Sequence, residues 1–286
     1  MDKTTEKLKD AMDTQPVVVD WLPEMDTATI ADGIYKGMSD EDYNKVEAVR
    51  ATQMKSFVDH AGKTNPGKYA AMYLNDAFKA LLEAAKDQAA LVIGNKVHER
   101  TLFGTADYST HPDIFKTTTI TGRKNIDIVE CCAASLLARP TFQALLNNSY
   151  RELVAVATCP VTGLRLKAKM DIVDKDLQTI TDIKTAKDLS EILTGAEWKS
   201  AFLKYGYPIQ EQHYLYVADL VFGESLFGAE RKMMFAAVEK GKDYDVAFVQ
   251  TDAEKREGYK AIYHSALKEL SERIKQDNWF DAINII

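Results

Sequence analysis

The chain has 286 residues, of which 46% are hydrophobic and 28% are charged. This composition excludes a disordered or fibrous chain and allows a substantial core. The longest apolar stretches, such as 217–222, are much shorter than the roughly 20 residues that span a bilayer. The charged start over 1–13 has no apolar signal segment, so neither a membrane segment nor secretion is expected. Three cysteines without a CxxC pair fit a reducing cytoplasm: Cys131, Cys132 and Cys159.

The net charge of -7 arises from 43 acidic and 36 basic residues, and such a charge argues at first against a nucleic-acid partner. Residues 1–50, however, hold 12 acidic and 6 basic side chains, so the remainder of the chain is close to neutral. We therefore expect an acidic N-terminal extension over 1–32, followed by one domain over 33–286 with its core at about 69–250.

Several segments show the apolar spacing of amphipathic helices. The spacing predicts a long helix from Tyr69 to about Phe103. It predicts a helix or helix pair over 121–148, broken at Arg139 and Pro140. A further helix is expected over 196–222, interrupted near Gly206 and Pro208, and a closing helix over 252–275.

The pattern of a strand with one buried face begins after Glu152, which we place at the end of a separate segment. Apolar and polar residues alternate from Leu164 to Val173, and 179–184 predicts a second short strand. A hairpin is expected from 233–238 and 246–250. Helices interleaved with strands in this way indicate a mixed α/β fold.

The first predicted hairpin carries carboxylates. Asp182 and Lys184 are two residues apart, so both side chains leave the same face of the sheet. A symmetrical loop over 175–178 would place Asp171 directly opposite Asp182. Opposed carboxylates destabilise a sheet unless a cation compensates them, and oxygen ligands favour Mg²⁺ or Mn²⁺. A plain salt bridge between Asp182 and Lys184 on an exposed face is the alternative.

Other polar residues converge on the same hairpin. A basic row continues the Asp171 face and could track phosphates, although a solvated strand face has the same pattern: Arg165, Lys167 and Lys169. Glu152 could supply a further oxygen ligand and His98 a ring nitrogen, while each is also common as a structural residue. Gln210 and Tyr214 share a helix face and could hold a phosphate or a base edge, or simply belong to the core.

In chain order these residues resemble the active-site series of the PD-(D/E)XK nuclease superfamily. The resemblance is strongest to the phage-type recombination exonucleases, of the kind represented by the C-terminal nuclease of exodeoxyribonuclease VIII (RecE). It covers roughly 33–222, with Val-Arg-Ala-Thr where that group usually has Leu-Ser-Asn-Ser. The segments that carry it are GIYKGMSDEDYNKVEAVRATQMKSF, GNKVHERTLF, ELVAVATCPVTGLRLKAKMD, DIKTAKDL and YGYPIQEQHYLYVADL.

The resemblance implies a restriction-endonuclease-like α/β core, with a mixed central sheet flanked by helices. It implies that Asp171, Asp182 and the carbonyl of Ile183 bind a divalent metal, with one or two Mg²⁺ or Mn²⁺ ions per site. His98 and Glu152 would complete the shell or hold a second ion. Lys184 would position the attacking water, and Gln210 and Tyr214 would contact the substrate.

The implied activity is degradation of linear duplex DNA from its 5' ends, leaving 3' single-stranded tails for an annealing protein. A ring-like homo-oligomer in a bacterial or phage-infected cytoplasm is the implied context. Two alternatives stay open: a RecB-type nuclease module or endonuclease that works with partner subunits, and a non-catalytic DNA-binding protein on the same fold. An iron-sulfur nuclease is disfavoured, because such a cluster takes four cysteine ligands and the chain has three.

Overall fold

A computed structural model describes residues 17–22, 24–85, 88–118, 122–189, 201–223, 230–241 and 243–280. Within these residues seven strands form one sheet, and their order across the sheet follows the chain. The pairs β1/β2 and β5/β6 are parallel, and the other neighbours are antiparallel. The predicted mixed sheet is therefore confirmed. The strands are β1 (Val18–Asp20), β2 (Gly33–Lys36), β3 (Ser149–Thr158), β4 (Arg165–Asp174), β5 (Thr179–Ala186), β6 (Lys232–Glu239) and β7 (Val246–Val249).

Helices cover both faces of this sheet. On one face the core contains Phe57, Ile209 and Tyr263 packed against β3 and β4. On the other face Val97 and Val129 pack against β5 and β6. The helices are α1 (Asp40–Lys45), α2 (Ala51–Phe57), α3 (Pro66–Tyr73), α4 (Asp76–Ala85), α5 (Gln88–Phe103), α6 (Pro112–Lys116), α7 (Asn125–Leu137), α8 (Pro140–Asn147), α9 (Ala201–Lys204), α10 (Tyr207–Phe222) and α11 (Ala253–Gln276).

The β4–β5 hairpin has the predicted register. Ile172 pairs with Thr181 and Val173 with Ile180, and 175–178 form the loop. Asp171 and Asp182 are the next residues in this register. The β6–β7 hairpin also forms as predicted, with antiparallel pairing from Phe235 to Val238.

Three helix predictions are confirmed by features of the backbone. Pro140 begins α8 immediately after the break that follows α7. Gly206, with φ of 66°, precedes α10, so the predicted interruption is present. Asp252 caps α11 by accepting hydrogen bonds from the first amides of the helix. Residues 191–200, which include the start of the predicted helix over 196–222, lie outside the described residues.

The single long helix predicted from Tyr69 to Phe103 is wrong, because α3 ends at Tyr73 and α4 begins at Asp76. The side chain of Asn75 accepts a hydrogen bond from the amide of Phe78 at 3.0 Å, which starts a new helix. Apolar spacing continues on both sides of this cap, so periodicity alone did not reveal the break. Glu152 is also placed differently, because it lies inside β3 rather than before a strand.

The N-terminal region contributes to the sheet as well. β1 lies within the segment expected to be an extension, and it pairs in parallel with β2 at the edge of the sheet. Residues 1–16 lie outside the described residues. None of the helices in the described part of the chain combines the length and hydropathy needed to cross a bilayer.

Candidate active site

The hairpin strands β4 and β5 separate at Asp171. The pairing ends at Ile172 and Thr181, and Asp171 Oδ2 then accepts the hydrogen bond of the Ile183 amide at 2.7 Å. The residues on either side of Asp171 also belong to different layers, because Met170 packs in one core cluster and Ile172 in the other. Asp171 is therefore within reach of side chains from both helical layers.

The predicted pair of Asp182 and Lys184 forms, but Asp182 is buried and Lys184 half-buried rather than on an exposed face. Lys184 Nζ lies 2.5 Å from Asp182 Oδ2, and the Asp182 side chain is 4% exposed. Apart from this ion pair, Asp182 Oδ2 has no hydrogen-bond partner among the described residues. Burial raises the pKa of Asp182; the charge of Lys184 opposes this shift and that of Asp171 adds to it.

His98 reaches Asp171 from α5. Its Nδ1 lies 3.3 Å from Asp171 Oδ2. Burial alone would lower the pKa of His98, but the charge and hydrogen bond of Asp171 outweigh it, and the pKa is raised. Burial alone would likewise raise the pKa of Asp171, yet His98, Lys184 and the Ile183 amide together lower it. The two aspartates therefore differ in their affinity for protons, with the lower pKa at Asp171.

Lys184 lies against aromatic rings. Its ammonium is 5.0 Å from the ring centre of Tyr207 and 6.0 Å from that of Phe235. Burial would lower the pKa of Lys184, but Asp182, Tyr207 and Asp171 together outweigh burial and raise it. At neutral pH this lysine is an ammonium ion, which can donate hydrogen bonds to water or to a phosphoryl oxygen.

Gln210 and Tyr214 project from α10 towards the same carboxylates. Gln210 Nε2 donates a hydrogen bond to Asp182 Oδ1 at 2.7 Å. Burial raises the pKa of Tyr214 well above its ordinary value, and the charges of Asp182 and Asp171 act in the same direction. The structure thus brings both predicted residues to the site, with Gln210 bound to a carboxylate.

Glu152 occupies the position in β3 opposite Asp171. The pairs on either side are Arg151 with Ile172 and Leu153 with Met170, and Glu152 itself has a φ of 49°. This left-handed conformation is strained for a residue with a side chain, and such strain clusters at functional sites. Its Oε2 lies 2.9 Å from Lys169 Nζ.

The predicted basic row is not an exposed row, and Lys167 is the clearest departure. Lys167 is 3% exposed, and its ammonium donates to the backbone carbonyls of Tyr43 at 2.6 Å and Val46 at 2.7 Å. The chain between α1 and α2 covers this strand, which sequence alternation does not reveal. The ammonium of Lys167 is therefore part of the folded core and cannot serve as an open phosphate contact.

The other two members of the row remain near the surface but are paired. Lys169 Nζ lies 2.6 Å from Asp40 Oδ1, whose side chain is 80% exposed. Arg165 Nε lies 3.8 Å from Asp32 Oδ1, and the guanidinium also donates to the carbonyl of Ile30. Substrate contacts by Arg165 and Lys169 remain predictions.

Sequence reasoning missed Lys55 as a residue of the site. It projects from α2, and its Nζ donates a hydrogen bond to Gln210 Oε1 at 3.3 Å, across 155 residues of chain. Burial lowers the pKa of Lys55 to about 8, and the charge of Lys184 acts in the same direction. Both residues lie in segments that carry the family resemblance, but nothing in either segment indicates a contact between them, so the packing of α2 against α10 was needed to reveal it.

The chemistry of these side chains fits a divalent cation, although the described residues contain no group of three or more ligating side chains already gathered. Asp182 Oδ2 is a buried oxygen paired with the Lys184 ammonium, and it accepts no hydrogen bond from any other described residue. Asp171 is held beside it, with a second oxygen available. Carboxylate oxygens suit hard ions such as Mg²⁺ and Mn²⁺, and a cation would relieve the repulsion between the two carboxylates.

Among known proteins, one solved structure supports the fold, and a family model identifies the family. A protein of Eubacterium rectale provisionally assigned as an exonuclease shares the fold, with a TM-score of 0.61, 17% identity, and coverage of 87% of this chain and 91% of that one. A phage-related exonuclease of Haemophilus somnus 129PT is also similar, with a TM-score of 0.34, 15% identity, and coverage of 81% and 96%. No curated protein matches the sequence. A family model described as a PDDEXK-like domain of unknown function (DUF3799) matches residues 51–281, and the chain belongs to that family.

Proposed function

We propose that this protein is a metal-dependent exodeoxyribonuclease that degrades linear duplex DNA from 5' to 3' and leaves 3' single-stranded tails for recombination. One observation carries the proposal. The ion pair of Asp182 and Lys184 lies beside Asp171 at the point where two strands separate, so two largely buried carboxylates lie close to one lysine. A structural ion pair has no need of a second buried carboxylate, whereas a metal site does.

Each side chain of the site has a separate role in the proposed reaction. Asp171, Asp182 and the carbonyl of Ile183 would hold the ion, and His98 and Glu152 would complete its shell or hold a second one. A bound divalent ion supplies positive charge that stabilises the developing charge on a phosphoryl oxygen and lowers the pKa of water. His98 holds Asp171 in place through its contact at 3.3 Å.

Lys184 has a distinct part in this scheme. Its raised pKa keeps it protonated at neutral pH, so it orients the attacking water or binds a phosphoryl oxygen by donating hydrogen bonds. The charges of Asp182 and Asp171 contribute to the raised pKa of Tyr214, which supports a contact of its hydroxyl with the substrate near the scissile phosphate.

The decisive experiment compares linear with covalently closed duplex DNA, each with magnesium or with a chelator. We expect digestion of the linear substrate only, and only with the metal. Asp182→Asn, which keeps the shape of the side chain but removes its charge, should abolish digestion. An intact linear substrate, or undiminished digestion by Asp182→Asn, would show that the proposal is wrong.

Polarity and assembly need separate measurements. Labels placed at either terminus should show early release from the 5' end and retention at the 3' end, and loss of the 3' label first would reverse the direction. Light scattering with and without DNA would test the proposed ring-like homo-oligomer. Stimulation of strand joining by a single-strand annealing protein would test the recombination role.

The same assays distinguish the alternatives. Cleavage of closed circular DNA would indicate an endonuclease, and activity that appears only with added helicase subunits would indicate a RecB-type module. Binding of duplex DNA without any hydrolysis in magnesium or manganese would indicate a non-catalytic DNA-binding protein on this fold.

A further inference from the structure

The side-chain amide of Gln210 is held at both of its ends. Its oxygen accepts a hydrogen bond from Lys55 at 3.3 Å, and its nitrogen donates one to Asp182 at 2.7 Å. An amide has an acceptor end and a donor end. Rotation by half a turn would set its oxygen against the Asp182 carboxylate and its NH₂ group against the Lys55 ammonium. Both contacts would be repulsive, so Lys55 selects the orientation in which Gln210 can donate to Asp182.

The nearest polar contact of the Lys55 ammonium is the side chain of Gln210. Within the described part of the chain, its ammonium contacts the Gln210 oxygen and lies 5.7 Å from the ring centre of Tyr207, but it forms no ion pair with a carboxylate. The charge of Lys184 is near enough to repel it, and the charge of Asp182 has a smaller, opposite effect. A partly buried cation without a carboxylate partner is unfavourable for stability alone.

The start of α10 leaves room for this lysine. Gly206 has a φ of 66°, and a Cβ atom at that position would lie 3.1 Å from side-chain carbons of Lys55. The backbone therefore approaches the Lys55 stem closely, which limits its freedom and directs the ammonium towards Gln210.

We propose that Lys55 is a positioning residue of the active site. By orienting the Gln210 amide it holds Asp182 Oδ1, so that Asp182 Oδ2, beside the Lys184 ammonium, is directed at a divalent cation. This assignment rests on the proposed nuclease function, because it concerns the metal site of that activity. Partners of metal ligands of this kind typically contribute about 10- to 100-fold to metal affinity or activity.

A double-mutant cycle tests whether Lys55 acts through Gln210. The four proteins are the wild type, Lys55→Met, Gln210→Met and the double variant, each assayed for Mn²⁺ affinity by calorimetry without DNA and for kcat and KM on linear duplex DNA. Removing a positive charge near the site tightens cation binding by itself, and it does so in both backgrounds. The coupling between the two substitutions therefore carries the test.

We expect Lys55→Met to weaken Mn²⁺ binding and kcat by about tenfold more in the wild-type background than in the Gln210→Met background. Lys55→Arg, which keeps a donor and a charge, should restore most of both, with KM for DNA little changed. The proposal would be overturned if Lys55→Met changed Mn²⁺ affinity and kcat by factors that agree within about twofold in the two backgrounds. A wild type that binds no Mn²⁺ would also overturn it. If Gln210→Met fails to fold, Gln210→Ala replaces it in the cycle.

A matched control addresses direct contact with DNA. Lys55 lines a groove of about 700 Å³ together with Arg50, Lys79 and Lys167. Lys79 is exposed in that groove and has no place in the site, so Lys79→Met should leave Mn²⁺ affinity and kcat unchanged. A rise in KM shared by Lys55→Met and Lys79→Met, without coupling to Gln210, would show that Lys55 binds phosphate directly and would overturn the positioning role.

The outcome is separable from that of the proposed function. Coupling in Mn²⁺ binding without hydrolysis of DNA by the wild type would retain the role of Lys55 and reject the exonuclease. Hydrolysis of linear DNA by the wild type without coupling would reject the role of Lys55 and retain the exonuclease.

Discussion

Replacement of Lys184 by methionine should reveal how strongly the buried carboxylates depend on a cation. Lys184 lies 2.5 Å from Asp182, whose side chain is 4% exposed. Without the ammonium, the carboxylate either stays charged, which costs about 3–5 kcal/mol when one partner of a buried pair is removed, or takes up a proton. Whichever form of Asp182, charged or protonated, has the lower free-energy cost determines how much stability the variant loses.

Protonation limits the loss and makes it depend on pH. The ordinary pKa of this group is 3.8, so protonating it at pH 7 costs about 4 kcal/mol, and at pH 5 about 1.6 kcal/mol. The folded pKa is raised above the unfolded one, so the folded state binds more protons and stability falls as the pH rises. In the wild type, burying the Lys184 ammonium already has a desolvation cost, which the variant no longer has. We therefore expect Lys184→Met to lower the free energy of unfolding by about 2–3 kcal/mol at pH 7 and by less than about 1.5 kcal/mol at pH 5.

Urea unfolding in a chelator at the two pH values measures this loss directly. Added magnesium should stabilise Lys184→Met more than the wild type, because the ion compensates carboxylates that have lost their lysine. Nuclease activity should nevertheless fall by at least about a hundredfold. Lys187→Met, an exposed position just beyond the same strand, is the matched control. An equal loss of stability at both pH values, or equal responses of variant and wild type to magnesium, would refute this reasoning.

Three further outcomes follow from other parts of the fold. Burial lowers the pKa of His213 to about 4 from an ordinary 6.5, so stability should fall by about 3 kcal/mol as the pH drops from 6.5 to 4, and His213→Asn should remove that slope in urea unfolding. Gly206→Ala forces a side chain into a left-handed conformation against Lys55, which should lower the free energy of unfolding by about 1–2 kcal/mol. It should also lower nuclease activity by displacing Lys55 from Gln210. Lowered stability with full nuclease activity would contradict the role of the contact between Lys55 and Gln210. Lys167→Met should destabilise the fold without changing the salt dependence of DNA binding, whereas Lys169→Met should reduce the slope of log affinity against log salt concentration by about 0.9. The reverse pattern would show that Lys167, and not Lys169, contacts DNA phosphates.

Much of the hairpin could be predicted from the sequence. The alternation along β4 and the length of the loop over 175–178 determine which residues pair, and the observed register agrees. The two-residue spacing of Asp182 and Lys184 places both on one face, and the structure brings them into contact. These features depend on the backbone period of a strand, which acts over a few residues and is visible in the chain.

The surroundings of that hairpin required the tertiary structure. The same alternation places Lys167 on an open face, but the segment after α1 covers it and accepts its hydrogen bonds. Lys55 meets Gln210 only because α2 packs beside α10. Local patterns report what the backbone does over one or two turns. Whether a charged side chain ends in water, on a carbonyl or beside an amide depends on segments far away in the chain, and their positions are set by how the whole core packs.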